Sequence, residues 1–329
     1  MLHTTRREFA ARLSASAVAL SLSRTAWAQG GNVGRIVVGY PPGGTLDVTA
    51  RRVGDAWREQ GRAYIVDNRA GAAGRVANGQ LKREKADGSV VLCTHTSALT
   101  IYPHVYGKLG YDAVADFKPV SPIASVTCAF AVSAAAVPAS VTTLDAYVRW
   151  IKANPQAANF ASPAAGSMAH FLGYRLDQAA GLKLTHVPYR GSAPAMQDLL
   201  GGQIPAYMGF VADFLPYLDS GKVRILAVTS EKRSRFMPGV PTCAEQGLPQ
   251  VTGTESYGLF LPPQASDALV TELGEATRQA ARNPSLVAGF EKLGLEPVSS
   301  TPAAYAQQIA RDSEHWRPIV AASGFRSEE

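Results

Sequence analysis

The residues most suited to chemistry are those of the turn Pro41-Pro42-Gly43-Gly44-Thr45, set between a β-branched run and an apolar-periodic segment. Proline pre-sets such a bend, and paired glycines leave the backbone bare enough for main-chain N–H groups to meet a guest. Where the turn opens a helix, the first N–H groups lack intrahelical partners and lie at the positive end of the dipole. That suits a carboxylate or a phosphate. Three more stretches share this character: Thr94-His95-Thr96-Ser97, Ser162 through Gly166-Ser167, and Arg190-Gly191-Ser192. His170 and His186 fall near these turns, and Arg190 could meet a carboxylate through two N–H groups. Tyr40 and Tyr257 either pack on a ligand's body or close the edge of a core. The plainer alternatives are a βα connection capped by Thr45 or Asp47, structural roles for the histidines and a solvated Arg190.

These turns need elements to hold them. Residues 35–39 read as a strand, and Val48, Val53 and Trp57 repeat at helical spacing from about residue 45. Strands follow at 63–68 and 90–93, with a helix between them, so the first turn and the Thr94–Ser97 cluster sit at the carboxyl ends of strands and should be neighbours. Residues 120–135 are extended for longer than one ordinary strand and read as a crossing. The pattern then restarts: helix 144–153, strand 159–162, a helix carrying Met168 and His170, strand 184–187, a helix after the 190–194 turn, and strands 206–211 and 223–228. Residues 253–261 read as the return crossing, and 266–323 as helix interrupted at Pro284 and Pro302. The expectation is two α/β domains, 32–127 plus 256–329 and 128–255, joined by two crossing strands and sharing one cleft.

Residues 1–28 differ in kind. Arg6-Arg7 precedes Phe9, an uncharged stretch spans 13–23, and Ala26-Trp27-Ala28 offers a small-residue cut site. This is a signal peptide cleaved after Ala28, resembling a twin-arginine signal, with a plain Sec signal as the alternative. The mature protein is therefore expected in the periplasm. The chain's net charge of +6 falls to about +3 without this segment, and no concentrated basic face suggests nucleic acid. Cys93 and Cys128 look like small core residues on strands, and Cys243 lies in a Pro-bounded loop. Any two could pair in an oxidising compartment, or all three stay thiols. No Cys-x-x-Cys or His-x-x-x-His supports a metal, no Gly-x-Ser-x-Gly supports a hydrolase, and no Gly-x-Gly-x-x-Gly supports a dinucleotide. Thr45 stands where a P-loop needs lysine. The expectation is no cofactor, no metal and no catalysis.

Several stretches together resemble a known family. They are Gly39-Tyr40-Pro41-Pro42-Gly43-Gly44-Thr45-Leu46-Asp47, Val66-Asp67-Asn68-Arg69-Ala70-Gly71-Ala72-Ala73-Gly74, Asp116-Phe117-Lys118-Pro119-Val120, His186-Val187-Pro188-Tyr189-Arg190-Gly191-Ser192-Ala193-Pro194 and Leu226-Ala227-Val228-Thr229-Ser230. In this order they resemble the Bug-type extracytoplasmic solute receptors of tripartite tricarboxylate transporters. The resemblance implies a two-lobed type II periplasmic-binding-protein (Venus flytrap) fold, capture of a small organic carboxylate and delivery to membrane permease subunits, without catalysis. It places ligand contacts at Gly43, Gly44, Asp47, Thr94, His95 and Thr96 in one lobe, and the expected state is a monomer. In the other it places them at Ser162, Gly166, Ser167, Arg190, Gly191 and Ser192. Gly209-Phe210 stand where the family often has Asp-Asn, and Tyr257 where it has tryptophan. These departures disfavour an amino acid or a tricarboxylate and favour a monocarboxylate, or an aromatic acid stacking on Phe210 or Tyr257. The overall expectation is a small mono- or dicarboxylate. The alternatives are a periplasmic enzyme using Ser167 or His170, and a receptor reporting to a membrane kinase.

Overall fold

The structure, a computed structural model, describes residues 33–327; the expected signal peptide lies outside the described residues. In chain order the elements are β1 (Gly34–Val38), α1 (Thr45–Glu59), β2 (Tyr64–Asn68), α2 (Arg75–Gln80), β3 (Val90–His95), α3 (Ser97–Thr100), α4 (Tyr102–Val105) and the long β4 (Lys118–Ser133). Then come α5 (Leu144–Ala153), β5 (Asn159–Ser162), α6 (Met168–Ala180), β6 (Thr185–Pro188), α7 (Ser192–Leu200), β7 (Ala206–Phe210), α8 (Val211–Phe214) and β8 (Val223–Val228). The chain closes with β9 (Thr254–Leu261), α9 (Asp267–Ala280), α10 (Pro284–Glu291), β10 (Glu296–Pro297) and α11 (Pro302–Ser323). Short polar side chains start these helices where sequence places them. Thr143, Ser167, Ser266, Asn283 and Thr301 each accept a first-turn N–H, a cap worth about 1 kcal/mol apiece.

The strands run in the order β2-β1-β3-β9-β4-β7-β5-β6, with β8 and β10 also paired to β4. β1 lies parallel to β2 and β3, and β5 parallel to β6 and β7. The two parallel groups are joined by the antiparallel pair β4 and β9. β4 changes partners along its length: Lys118 to Thr127 pair with β9, and Cys128 to Val132 pair with β7. Its sixteen residues therefore belong to both groups, and β9 returns beside it.

Apolar side chains cover both faces of each group. Ile36, Val38, Val91, Val126 and Leu259 meet α1, α9 and α10 through Trp57, Leu273 and Phe290. The opposite face holds a core continuous from Val37 and Leu92 to Phe130, Phe160 and Trp316. Fully burying such a side chain stabilises the fold by about 1.5–3 kcal/mol. At Gly258 the packing leaves no room for a side chain, because an added Cβ would lie 1.8 Å from the Tyr305 hydroxyl. The two-residue β10 on β4 is not anticipated by any periodicity in the chain.

Candidate functional site

The first turn forms as its residue types dictate. Gly43 takes φ +86°, a left-handed conformation that glycine adopts without strain, and Gly44 precedes α1 in extended conformation. No side chain caps α1. Instead the carboxylate of Asp47 turns back to brace the loop: Gly43 N–H donates to Oδ2 at 2.9 Å, Arg51 holds both oxygens, and Asn68 Nδ2 donates to Oδ1 at 2.9 Å. Burial works to raise the Asp47 pKa, but these partners outweigh it and hold the carboxylate below its usual range. At 1 % exposure Asp47 braces the loop from within. Among the described residues the N–H groups of Gly44, Thr45 and Leu46 have no backbone partner, as expected of the first turn of a 15-residue helix.

The Thr94–Ser97 cluster does lie beside this turn, since Tyr40 Oη sits 2.7 Å from His95 Nε2 and donates to the Ala73 carbonyl at 2.9 Å. Its polar groups are already used. Thr94 is 1 % exposed, Thr96 Oγ1 accepts from Ser256 N–H, and His95 Nδ1 donates to Glu255 Oε1 at 3.2 Å, which also accepts Ser97 N–H at 3.0 Å. Burial pushes the Glu255 pKa up, while the hydrogen bond and charge of His95 and the Ser97 N–H together hold it down. Thr94, His95 and Thr96 thus tie the end of β3 to β9. Glu255 is one residue that sequence reading missed; an acid inside the β-rich stretch 253–261 was the available signal.

The Ser162–Ser167 turn is also closed on itself. Ser162 Oγ donates to the Ala164 carbonyl at 3.0 Å and meets His186 Nε2 at 2.7 Å. Ser167 caps α6, its Oγ bonded to the Ala164 carbonyl and to His170 N–H, and Gly166 N–H donates to His170 Nδ1 at 3.1 Å. Ser162, Gly166, Ser167 and His170 are therefore all bonded within or beside their own turn. The fourth turn differs: Arg190 and Gly191 are exposed, Ser192 is half-buried, and Gly191 N–H donates to the Pro163 carbonyl at 2.8 Å, tying this turn to the third.

Among the aromatic candidates, Phe210 is half-buried and packs against both the Trp57 and the Phe160 sides of the core. Tyr257 belongs mainly to the core at 7 % exposure. Burial, then the charges of Glu255 and Asp213, push its phenol pKa well up. A separate polar groove of about 670 Å³, walled by Ser125, Thr127, Thr254, Arg175 and Asp312, opens on the strand face opposite Val126 and Glu255. None of the expected contacts lines it.

Two α/β groups linked by paired crossing strands, with helix starts at the carboxyl ends of their strands, define a two-lobed type II periplasmic-binding-protein fold. The comparisons agree. Residues 49–325 match the family model described as tripartite tricarboxylate transporter family receptor. The Bordetella pertussis protein BugT is 30% identical over 294 residues, 89% of each chain. Among solved structures, the periplasmic binding protein BugD superposes with a TM-score of 0.78 at 26% identity, covering 89% of this chain and 98% of that one. An R. palustris protein solved with adipate gives 0.81 at 26% identity with the same coverage. The chain belongs to the tripartite tricarboxylate transporter family of receptors, whose members are periplasmic.

Proposed function

We propose that this protein captures a small organic carboxylate, mono- or dicarboxylate and including aromatic acids, and delivers it to the permease subunits of a tripartite tricarboxylate-type transporter. The single observation that carries the reading is the start of α1. Gly43 and Gly44 are exposed, Asp47 braces the loop from behind, and the N–H groups of Gly44, Thr45 and Leu46 stand open at a positive helix end. Arg190 and Gly191, exposed on the other lobe, close over the bound acid from the far side. Phe210 and Tyr40 flank the space between. The resemblance to a relative solved with adipate supports a carboxylate guest.

The partner switch of β4 at Thr127 and Cys128 supports domains 32–127 plus 256–329 and 128–255, with β4 and β9 as the hinge. In this reading the protein is exported, cleaved after Ala28, monomeric and not an enzyme. Support for the last point comes from Ser167 and His170: the Ser167 hydroxyl is occupied by Ala164 and His170 N–H, and His170 Nδ1 by Gly166. Neither is left as a nucleophile or base. The test is a thermal-shift and calorimetric screen of ligand-free mature protein against aliphatic and aromatic carboxylates. A receptor shows a melting temperature that rises with acid concentration, and the acid is recovered unchanged. Turnover of a bound acid, or no response to any acid, overturns the reading.

A further inference from the structure

The second lobe carries a carboxyl that nothing above uses. Asp213 lies in α8, directly after β7. Its Oδ2 accepts Phe210 N–H at 2.9 Å and the Tyr207 hydroxyl at 3.0 Å, and the Ser192 hydroxyl lies beside it. Gly209 makes this arrangement possible. A Cβ there would lie 2.1 Å from Tyr207 Cε1, so only a bare strand position lets the ring cross it and reach Asp213. Burial raises the Asp213 pKa, against the pull of its three hydrogen-bond partners, and no lysine, arginine or histidine among the described residues forms an ion pair with it. Protein surrounds the carboxyl on nearly all sides, yet the residue as a whole is only half-buried. It follows the carboxyl end of β7 and lies beside Ser192 at the start of α7, the end of the second lobe where its helix starts gather.

A second anion beside Asp213 would be repelled, while an unsubstituted alkyl end would leave a buried acceptor unmet. The start of α7 at Ser192 is also a poor seat for the ligand's acid group, because Asp213 already answers the positive end of that helix. The acid group belongs at α1, and what meets Asp213 must donate. We propose that Asp213 accepts a hydrogen bond from the ligand, so that the ligand is a carboxylate whose far end carries a hydroxyl or a protonated amine. This rests on the carboxylate-receptor reading and narrows it, setting unsubstituted acids and dicarboxylates below donor-bearing ones.

The test uses matched acids on the mature protein: benzoate against 4-hydroxybenzoate and 4-(aminomethyl)benzoate, and pentanoate against 5-hydroxypentanoate and 5-aminopentanoate. In calorimetry the donor-bearing member of at least one series binds on the order of tenfold tighter or more. In Asp213→Asn and Asp213→Ser, checked for folding by thermal unfolding, that preference shrinks while the parent acid binds as before. The hydroxyl and amine arms distinguish the two donors. Equal affinity within every series, or an undiminished preference in folded variants, overturns the role of Asp213 and leaves the receptor reading standing, because the parent acids still bind. If no member of any series binds, both fall together. If neither variant folds, the preference measured on the native protein decides alone.

Discussion

His170 and His186 lie face to face, with ring centroids 3.8 Å apart and planes within 13°. Phe160, Phe171 and Phe325 surround the pair. Gly166 N–H donates to His170 Nδ1, and His186 Nε2 meets a Ser162 hydroxyl whose own proton goes to Ala164. The Gly166 N–H keeps His170 Nδ1 unprotonated, and protonating either ring puts a cation against its neighbour in an apolar pocket. Burial pulls the His170 pKa down to about 4, and burial plus the charge of His170 pulls that of His186 to about 3, from an ordinary 6.5.

The sign follows from linkage. The unfolded chain takes up these protons first, so the stabilisation is complete above pH 6.5 and is lost as the pH falls towards 4 and then 3. The slope is at most about 1.4 kcal/mol per pH unit for each ring. Thermal unfolding between pH 7.5 and 4 should show a steep acid loss that flattens in the double variant His170→Gln, His186→Gln. An unchanged slope in that variant would sink the assignment.

The two glycines of the first turn should separate folding from binding. Gly44 has φ −73° and meets only the Pro41 carbonyl, at 3.7 Å from an added Cβ, so Gly44→Val should leave the melting temperature nearly unchanged. Its branched side chain would cover the open N–H groups and abolish carboxylate binding in calorimetry. Gly43, at φ +86°, should instead lose about 1–2 kcal/mol of stability when changed to valine. Full carboxylate affinity in folded Gly44→Val would contradict the site.

Glu255 is the keystone between β9 and β3. Glu255→Ala leaves His95 Nδ1 and Ser97 N–H without an acceptor at near-complete burial, and urea unfolding should register a loss of about 3–5 kcal/mol. Glu255→Gln, which keeps an acceptor oxygen, should lose distinctly less. Equal losses would mean that shape alone, and not the acceptor, matters here.

Cys93, Cys128 and Cys243 are buried free thiols, and burial raises the pKa of each, that of Cys243 to about 12. A thiol kept protonated and covered does not react. An aromatic disulfide reagent should therefore find no thiol in the native protein and all three after denaturation. One reactive thiol, or only one recovered in denaturant, would contradict this.

Much of the architecture was legible because its signals are local. The strand Asn159–Ser162 and the helix Leu144–Ala153 follow from residue type and period, and the crossing at 120–135 from being too long for one strand. The site was less legible, because a hydroxyl or histidine at a helix start reads the same whether it faces a guest or its own loop. Ser162, Ser167 and His170 took the second course, satisfying Ala164, Gly166 and each other within nine residues of chain. Glu255 and Asp213 were missed for a different reason. Glu255 finds its partner His95 at a separation of 160 residues, and Asp213 depends on a ring crossing a bare Gly209. Neither relationship leaves a trace in local periodicity.

The placement of β9 between β3 and β4 also sets a timetable. During synthesis, residues 33–127 emerge with three parallel strands whose free edge waits for a segment beginning at Thr254. His95 meets Glu255 only after 160 more residues have been added, which at cellular elongation rates takes roughly 10–30 s. Throughout that interval the half that starts first cannot finish, while the stretch made in between already contains β5, β6 and β7 and can pair them. The lobe encoded in the middle of the chain is thus the first able to fold, and the lobe encoded at both ends is the last.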